Sequence, residues 1–382
     1  MKKRILILSS YVLVSLLSTV MTLAMVSWLT GGVSKLSQLE TLIEKYYIEE
    51  TDATILEDAA AKAMISATGD RWSYYIPASE YASYKETSEN AYVGIGITIT
   101  VAHDGSGLQV MEVNSGSSAE EAGLLVDDVI IAIEGQDASG MTTTEARNLV
   151  RGKEGTEVEL KVWRSGETLT MSVTRRKVEV TVASGQLLEG NVGLITIVNF
   201  DDRCADETIA AIESLQQQGA EKLIFDVRNN PGGYAHELVK LLDYLLPEGE
   251  LFRTVDYAGR ESVDKSDANY LEVPMAVLVN RDSYSAAEFF SVALQEYEAA
   301  TVIGEKTSGK GHFQSTFTLN DGSAVALSIG KYYTPKGISL EGVGITPDIE
   351  VVVDDSTYAD IYYSRLAPEE DPQVQAALDA LR

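Results

Sequence analysis

Four apolar runs of strand length constrain this chain most: VGLITIVNF (192–200), KLIFDV (222–227), MAVLV (275–279) and ATVIG (300–304). The first three lead into helical patterns, ADETIAAIESLQQQGA, AHELVKLLDYLL and AAEFFSVALQEYEAA. Strand, turn and helix in repeated alternation favour an α/β fold in which helices cover a largely buried sheet. In such folds chemistry collects just beyond the carboxyl ends of the strands. NNPGG (229–233) and NRDSYS (280–285) both stand there.

At 382 residues the chain has room for two or three domains. The net charge of −28 argues against nucleic acid or an anionic lipid surface as the main partner. The single cysteine, Cys204, excludes an intramolecular disulfide and a cysteine-based metal cluster. It follows VNFDDR without a matching basic constellation, which points to a buried or idle thiol rather than a catalytic one.

The N-terminus carries a different signal. MKKR precedes a stretch without charge from Ile5 to Ser34, longer than the roughly 20 apolar residues that cross a bilayer and than a signal-peptide core of about 7–15. No A-x-A cleavage site follows. Residues 1–35 are therefore expected to hold a transmembrane signal anchor, with Lys2, Lys3 and Arg4 cytoplasmic and a single pass placing the rest outside the cell. Secretion after signal-peptide cleavage is the alternative.

Residues 36–90 read as a helical segment. Leu36, Leu39, Ile43, Tyr46 and Tyr47 have helical spacing, and a second pattern after Thr54 ends at Gly69-Asp70. Such short helices bury little alone. Together with a C-terminal helical segment at 356–382, they are expected to pack on the main body or to form a homo-oligomer.

From residue 91 to 177 the pattern changes to short alternating strands with two short helices, SSAEEAGL and TTTEARNLV. YVGIGI, SSAEEAGLLVDDVIIAIEGQDASG and VRGKEGTEVELKV resemble a PDZ domain. Gly94 and Gly96 leave backbone N–H groups to cradle a peptide carboxylate, and the adjoining strand edge accepts an extended peptide. Ile95 and Ile97 are placed near the pocket for the terminal side chain. Arg151, a long cation at the margin of this module, is a candidate sensor of occupancy or a solvated surface residue.

Within the α/β region, residues 178–355, Ser285 stands at the first turn of a predicted helix with Glu288 three residues on. Ser-x-x-Glu is a capping box in its own right. The same serine also faces the positive end of a helix dipole. The N–H of Ala286 is available to an oxyanion, and Gly232 and Gly233 let backbone approach a substrate carbonyl. Ser283 is a competing hydroxyl.

The base is less determined by residue type. His103 lies in a turn of the PDZ-like module and His236 inside a predicted helix, leaving His312 as the rival of Lys310. A lysine serves as base if burial disfavours its ammonium form. Between Gly309 and Gly311, Lys310 is either that base or a solvated loop residue.

DVRNNPGGY, VNRDSYSAAEFFSVALQ, VIGEKTSGKGHFQ and ISLEGVGITPDIEV together resemble the carboxyl-terminal processing peptidases, or tail-specific proteases, over residues 36–382. The resemblance implies a serine-type peptidase with nucleophile Ser285, general base Lys310 and Gln314 orienting the lysine. It implies oxyanion donors at Gly232 or Gly233 and Ala286, no metal and no cofactor. The implied substrates are polypeptides with free C-termini, delivered by the PDZ domain. Where relatives often read S-A-S-A-S-E this chain has DSYSAAE, so Tyr284 narrows the entrance. Two other classes stay open: a PDZ scaffold that captures C-termini without cutting, and a membrane-anchored adaptor.

Overall fold

The computed structural model describes residues 13–22, 25, 34–88 and 91–382. The transmembrane helix expected within 1–35 is not found: among the described residues, no helix is long and apolar enough to cross a membrane. Residues 13–22 and 25 are helical. Residues 1–12, 23–24 and 26–33, which complete the uncharged stretch, lie outside the described residues. Lack of charge is compatible with lipid, but by itself it does not dictate a helix of spanning length.

The chain divides into two compact units. The first is Met1–Pro77 with Phe317–Ala326. Its helices Lys35–Tyr46 and Ala53–Ser66 are capped by Ser34 and Asp52, and neither contains a buried residue. Strand Tyr74–Ile76 pairs antiparallel with Ala324–Ala326, and the Tyr75 hydroxyl donates to Asp58 at 2.6 Å.

The second unit is Ala78–Thr316 with Leu327–Arg382. Its first sheet runs in the order Ile97–Val101, Leu108–Val113, Val129–Ile133, Glu157–Arg164, Glu167–Thr174, with Gln136–Asp137 paired to the middle strand. EVELKVWR shows why: every second side chain is buried, so one face is core and the other is wet. Leu108, Val110, Ile130, Leu160 and Val173 fill that core. Helix Thr143–Val150 starts on a full capping box between Thr142 and Glu145. A two-stranded ribbon, Ala91–Gly94 against Arg176–Glu179, gathers the two ends of this module.

A second sheet runs Ala183–Leu188, Val192–Ile197, Lys222–Asp226, Met275–Val279, Ala300–Gly304, Ile349–Glu350. All neighbours are parallel except the first pair. Met275–Val279 is buried at all five positions, as a central strand covered on both faces must be. Helices Cys204–Gln217, Ala235–Leu245 and Ala286–Glu296 contribute to one core with Ile195, Phe225 and Val277. Val374, Ala377 and Leu381 close the other face over Leu194, Ile224 and Leu278. Gly249–Asp256 and Glu261–Ser266 form a hairpin, and Gly330–Tyr333 pairs with Arg253–Asp256.

Candidate active site

Three chain segments meet beyond the carboxyl ends of the central strands: 226–234, 280–288 and 305–314. The first turn is built around Asn230, which is fully buried. Its Nδ2 donates to the Ile197 carbonyl at 2.8 Å, and its Oδ1 accepts the Gly232 N–H at 2.8 Å. Gly232 has φ +86°, and a Cβ there would stand 2.7 Å from Ser285 Cβ and 2.8 Å from Ala286 N. Only glycine fits that approach.

The two glycines separate in role. The Gly232 N–H is already spent on Asn230, whereas among the described residues the N–H groups of Gly233 and Ala286 have no hydrogen-bond acceptor. Two open donors beside one serine are what a tetrahedral oxyanion requires.

Ser285 is buried, at 8% exposure, and adopts φ +58°, ψ −125° at the N-cap of helix Ala286–Glu296. A non-glycine residue held at positive φ costs about 1–3 kcal/mol, and such strain clusters at functional turns. Ser283, the competing hydroxyl, is fully buried and donates to the Val227 carbonyl at 2.7 Å while accepting from Asn280 N–H at 3.0 Å. It holds the turn together.

Glu288 joins the serine segment to the lysine segment. Its side chain is fully buried. Oε2 accepts the N–H of Ser285 at 3.0 Å and of Lys310 at 2.8 Å. Oε1 accepts from Thr307 Oγ1 at 2.5 Å and from the Gly309 N–H at 2.8 Å. Burial pushes this carboxyl above the usual carboxylate range, and the four donors pull against that. As a capping box the Ser-x-x-Glu pattern was legible locally; its reach to 307–310 has no local signal.

Lys310 lies with Nζ 5.6 Å from the centroid of the Tyr284 ring, within cation–π range. Its loop is walled by 339–345. A Cβ on Gly309, at φ +80°, would meet Gly344 N at 2.8 Å, and one on Gly311 would meet Glu341 N at 2.6 Å. Gln314 donates through Nε2 to Ser328 Oγ at 3.2 Å and to the His312 carbonyl at 3.3 Å. His312 has a carboxylate neighbour that no sequence spacing announced: its Nδ1 is 3.6 Å from Glu341 Oε2. That nitrogen is buried and has no hydrogen-bond partner among the described residues. His236 is two-thirds exposed beside Asp202. Cys204 is fully buried and its thiol is pushed up to about 12, chiefly by burial.

In the same unit, a cleft of about 280 Å³ runs between strand Ile97–Val101 and helix Thr143–Val150. Gly94, Ile95, Gly96 and Ile97 all line it, as does Arg151. Ile95 is 1% exposed and belongs to the module's core, so it contributes backbone to the cleft rather than a pocket wall. Gly96, at φ +79°, sits where a Cβ would strike Ser117 Cβ at 2.5 Å. Thr143, Thr144 and Arg147 also line it, and the sequence alone did not single them out although their helical spacing puts them on one face. The Arg151 guanidinium lies 4.4 Å from the centroid of Tyr92. Among the described residues no group of three His, Cys, Asp or Glu is arranged to hold a metal ion.

Comparison with known proteins gives this geometry a context. A family model described as "Peptidase family S41" matches residues 191–351, and one described as "PDZ domain" matches 109–164. The carboxy-terminal processing protease CtpA of Bacillus subtilis is 34% identical over 332 residues, covering 86% of this chain and 70% of that protein. The carboxyl-terminal-processing protease of a Synechocystis species is 33% identical over 329 residues, covering 84% and 76%. A solved S41 protease structure from Bacteroides fragilis shares the fold, with TM-score 0.52 at 18% identity over 90% of this chain and 96% of the other.

Proposed function

The chain belongs to the S41 family of carboxy-terminal processing serine proteases, and from that premise we propose that Ser285 is its nucleophile and Lys310 its general base. The observation that carries this reading is the common acceptor Glu288 Oε2, which holds the backbones of both residues to one point. Family membership also favours an enzyme over a mere scaffold or adaptor.

In this reading neutral Lys310 takes the proton of Ser285 Oγ as that oxygen bonds to the scissile carbonyl carbon. The carbonyl oxygen takes the displaced electron pair as an oxyanion facing the Gly233 and Ala286 N–H groups. The C–N bond then breaks, the leaving amine receives the proton from Lys310, and an acyl-enzyme remains. Water, deprotonated by Lys310, releases the acid and regenerates Ser285. Gln314, with its amide nitrogen turned to Ser328, has Oε1 left to orient the lysine.

The PDZ cleft receives the free C-terminus of the substrate, its carboxylate at the backbone of 94–97 between Arg147 and Arg151. Tyr92 belongs to the ribbon that leads from the cleft to the core strands, so its stacking with Arg151 supports a sensor role for that arginine. Export of the catalytic part is included in this reading, on the basic residues that precede the uncharged stretch.

A peptide bearing a C-terminal tail tests the assignment on the full chain. Lys310→Ala is expected to abolish cleavage, while His312→Ala retains most of it. Wild-type rates rise with pH as the lysine deprotonates. The reverse mutational pattern transfers the base to His312 and its Glu341 neighbour. Amidating the peptide's C-terminus slows cleavage if the cleft reads the carboxylate; equal rates reject that role.

A further inference from the structure

The match to the family model ends at residue 351, yet the chain beyond it touches both turns that frame the reaction. Helix Asp355–Tyr362 carries Tyr358, whose hydroxyl reaches Asn229 Oδ1 at 2.9 Å and contacts the Asp282 carboxylate. With one proton, the phenol donates to one of these oxygens at a time. Arg281 lays its guanidinium 4.1 Å from the centroid of the same ring. Next to Asn229, Arg228 donates to Asp371 at 2.7 Å and Gln373 at 3.0 Å, at the start of helix Pro372–Ala380.

Asn229 is the sensitive point. Its φ is +59°, a left-handed conformation that asparagine tolerates better than most residues and that its neighbours hold here. Asn280 imposes part of it, accepting the Asn229 N–H at 2.9 Å and donating to its Oδ1 at 2.8 Å. Tyr358 reaches the same Oδ1. Immediately after Asn229 comes Asn230, which fixes the Gly232 N–H and so aims the N–H of Gly233. Asp282 lies three residues before Ser285. One phenol therefore stands between the turn that presents Gly233 and the turn that presents Ala286.

We infer that Tyr358 is a positioning residue that locks the oxyanion turn to the nucleophile turn, making the C-terminal segment a working part of the protease. The inference rests on the proposed roles of Ser285, Gly233 and Ala286. Burial, then the Asp282 contact, push the hydroxyl up to about 12, so it keeps its proton at any ordinary assay pH.

The test uses the full chain with Tyr358→Phe, which keeps the ring under Arg281 and removes only the hydroxyl. Expected is a fall in kcat of about 10- to 100-fold, the scale of a displaced oxyanion donor. KM on the tailed peptide should stay within about twofold, because ground-state binding is untouched. Affinity for a peptidyl boronic acid, whose adduct fills the oxyanion site, should fall by the same factor as kcat. Asp282→Ala, at an exposed position, cuts the same link from the other side and should show the same split; it decides the matter if Tyr358→Phe fails to fold. Unchanged kcat overturns the inference, as does a loss of kcat with full boronic acid affinity. Fluorophosphonate labelling separates this from failure of the underlying reading. If the wild-type chain is not labelled at Ser285, the nucleophile assignment fails regardless of Tyr358.

Discussion

The backbone N–H groups of Ser285 and Lys310 donate to the same atom, Oε2 of Glu288, at 3.0 and 2.8 Å. Two residues 25 positions apart in the chain thus share one buried acceptor. The carboxylate is suited to this because both of its oxygens accept and neither donates.

That arrangement predicts the effect of Glu288→Gln. The amide offers one acceptor oxygen and turns an NH₂ toward N–H donors, and each buried donor left unsatisfied costs about 1–3 kcal/mol. Cleavage should fall on the order of 10²-fold, about 2.7 kcal/mol in the barrier. Steady-state kinetics with thermal unfolding in parallel provide the measurement. Wild-type rates in the variant would remove the common acceptor from the mechanism.

The two serines of DSYS should behave oppositely. Ser283→Ala cuts the bond to the Val227 carbonyl inside a fully buried turn, so stability should drop by about 1–3 kcal/mol while some cleavage survives. Ser285→Ala should leave the melting temperature within a few degrees of wild type and remove cleavage entirely. Calorimetry and a peptide assay on both variants distinguish these outcomes.

Gly232→Ala should inactivate the enzyme. Its Cβ would stand 2.7 Å from Ser285 Cβ at a residue whose φ is +86°, so both the serine and the turn must move. Gly190→Ala is the control, because it has a similar φ of +77° with nothing within 4 Å of the added carbon. It should cost about 1 kcal/mol of conformational strain and leave kcat alone.

Cys204 should resist alkylation in the native protein. With the thiol pushed up to about 12 by burial, almost no thiolate exists at pH 8. Native protein should show negligible iodoacetamide labelling there, and denatured protein should label fully. The sign for stability follows from the same displacement. A folded pKa above the ordinary 9.0 means that this group's contribution is intact below that value and is lost as pH climbs through about 12. Rapid labelling of folded chain would contradict the burial.

Periodicity and turn chemistry were sufficient for the elements that carry the site. MAVLV is buried at every position because a central strand has no wet face, and its continuity of apolar residues reports that directly. EVELKVWR alternates because one side of its sheet is wet. The N-cap position of Ser285 and the glycine pair at 232–233 were equally local facts. The uncharged N-terminal stretch is the exception: among the described residues no helix is long and apolar enough to cross a membrane, and lack of charge alone does not dictate one. Tertiary structure alone decided that the Ser283 hydroxyl is committed to the turn, by giving it to the Val227 carbonyl. It also decided which glycine N–H is open, by closing Gly232 onto Asn230. The link from Glu288 to Lys310, the pairing of His312 with Glu341 and the reach of Tyr358 to Asn229 span 22, 29 and 129 positions. Backbone propensity acts over a few residues, so no local pattern encodes such contacts; they exist because packing the sheet brings distant turns to one end of it.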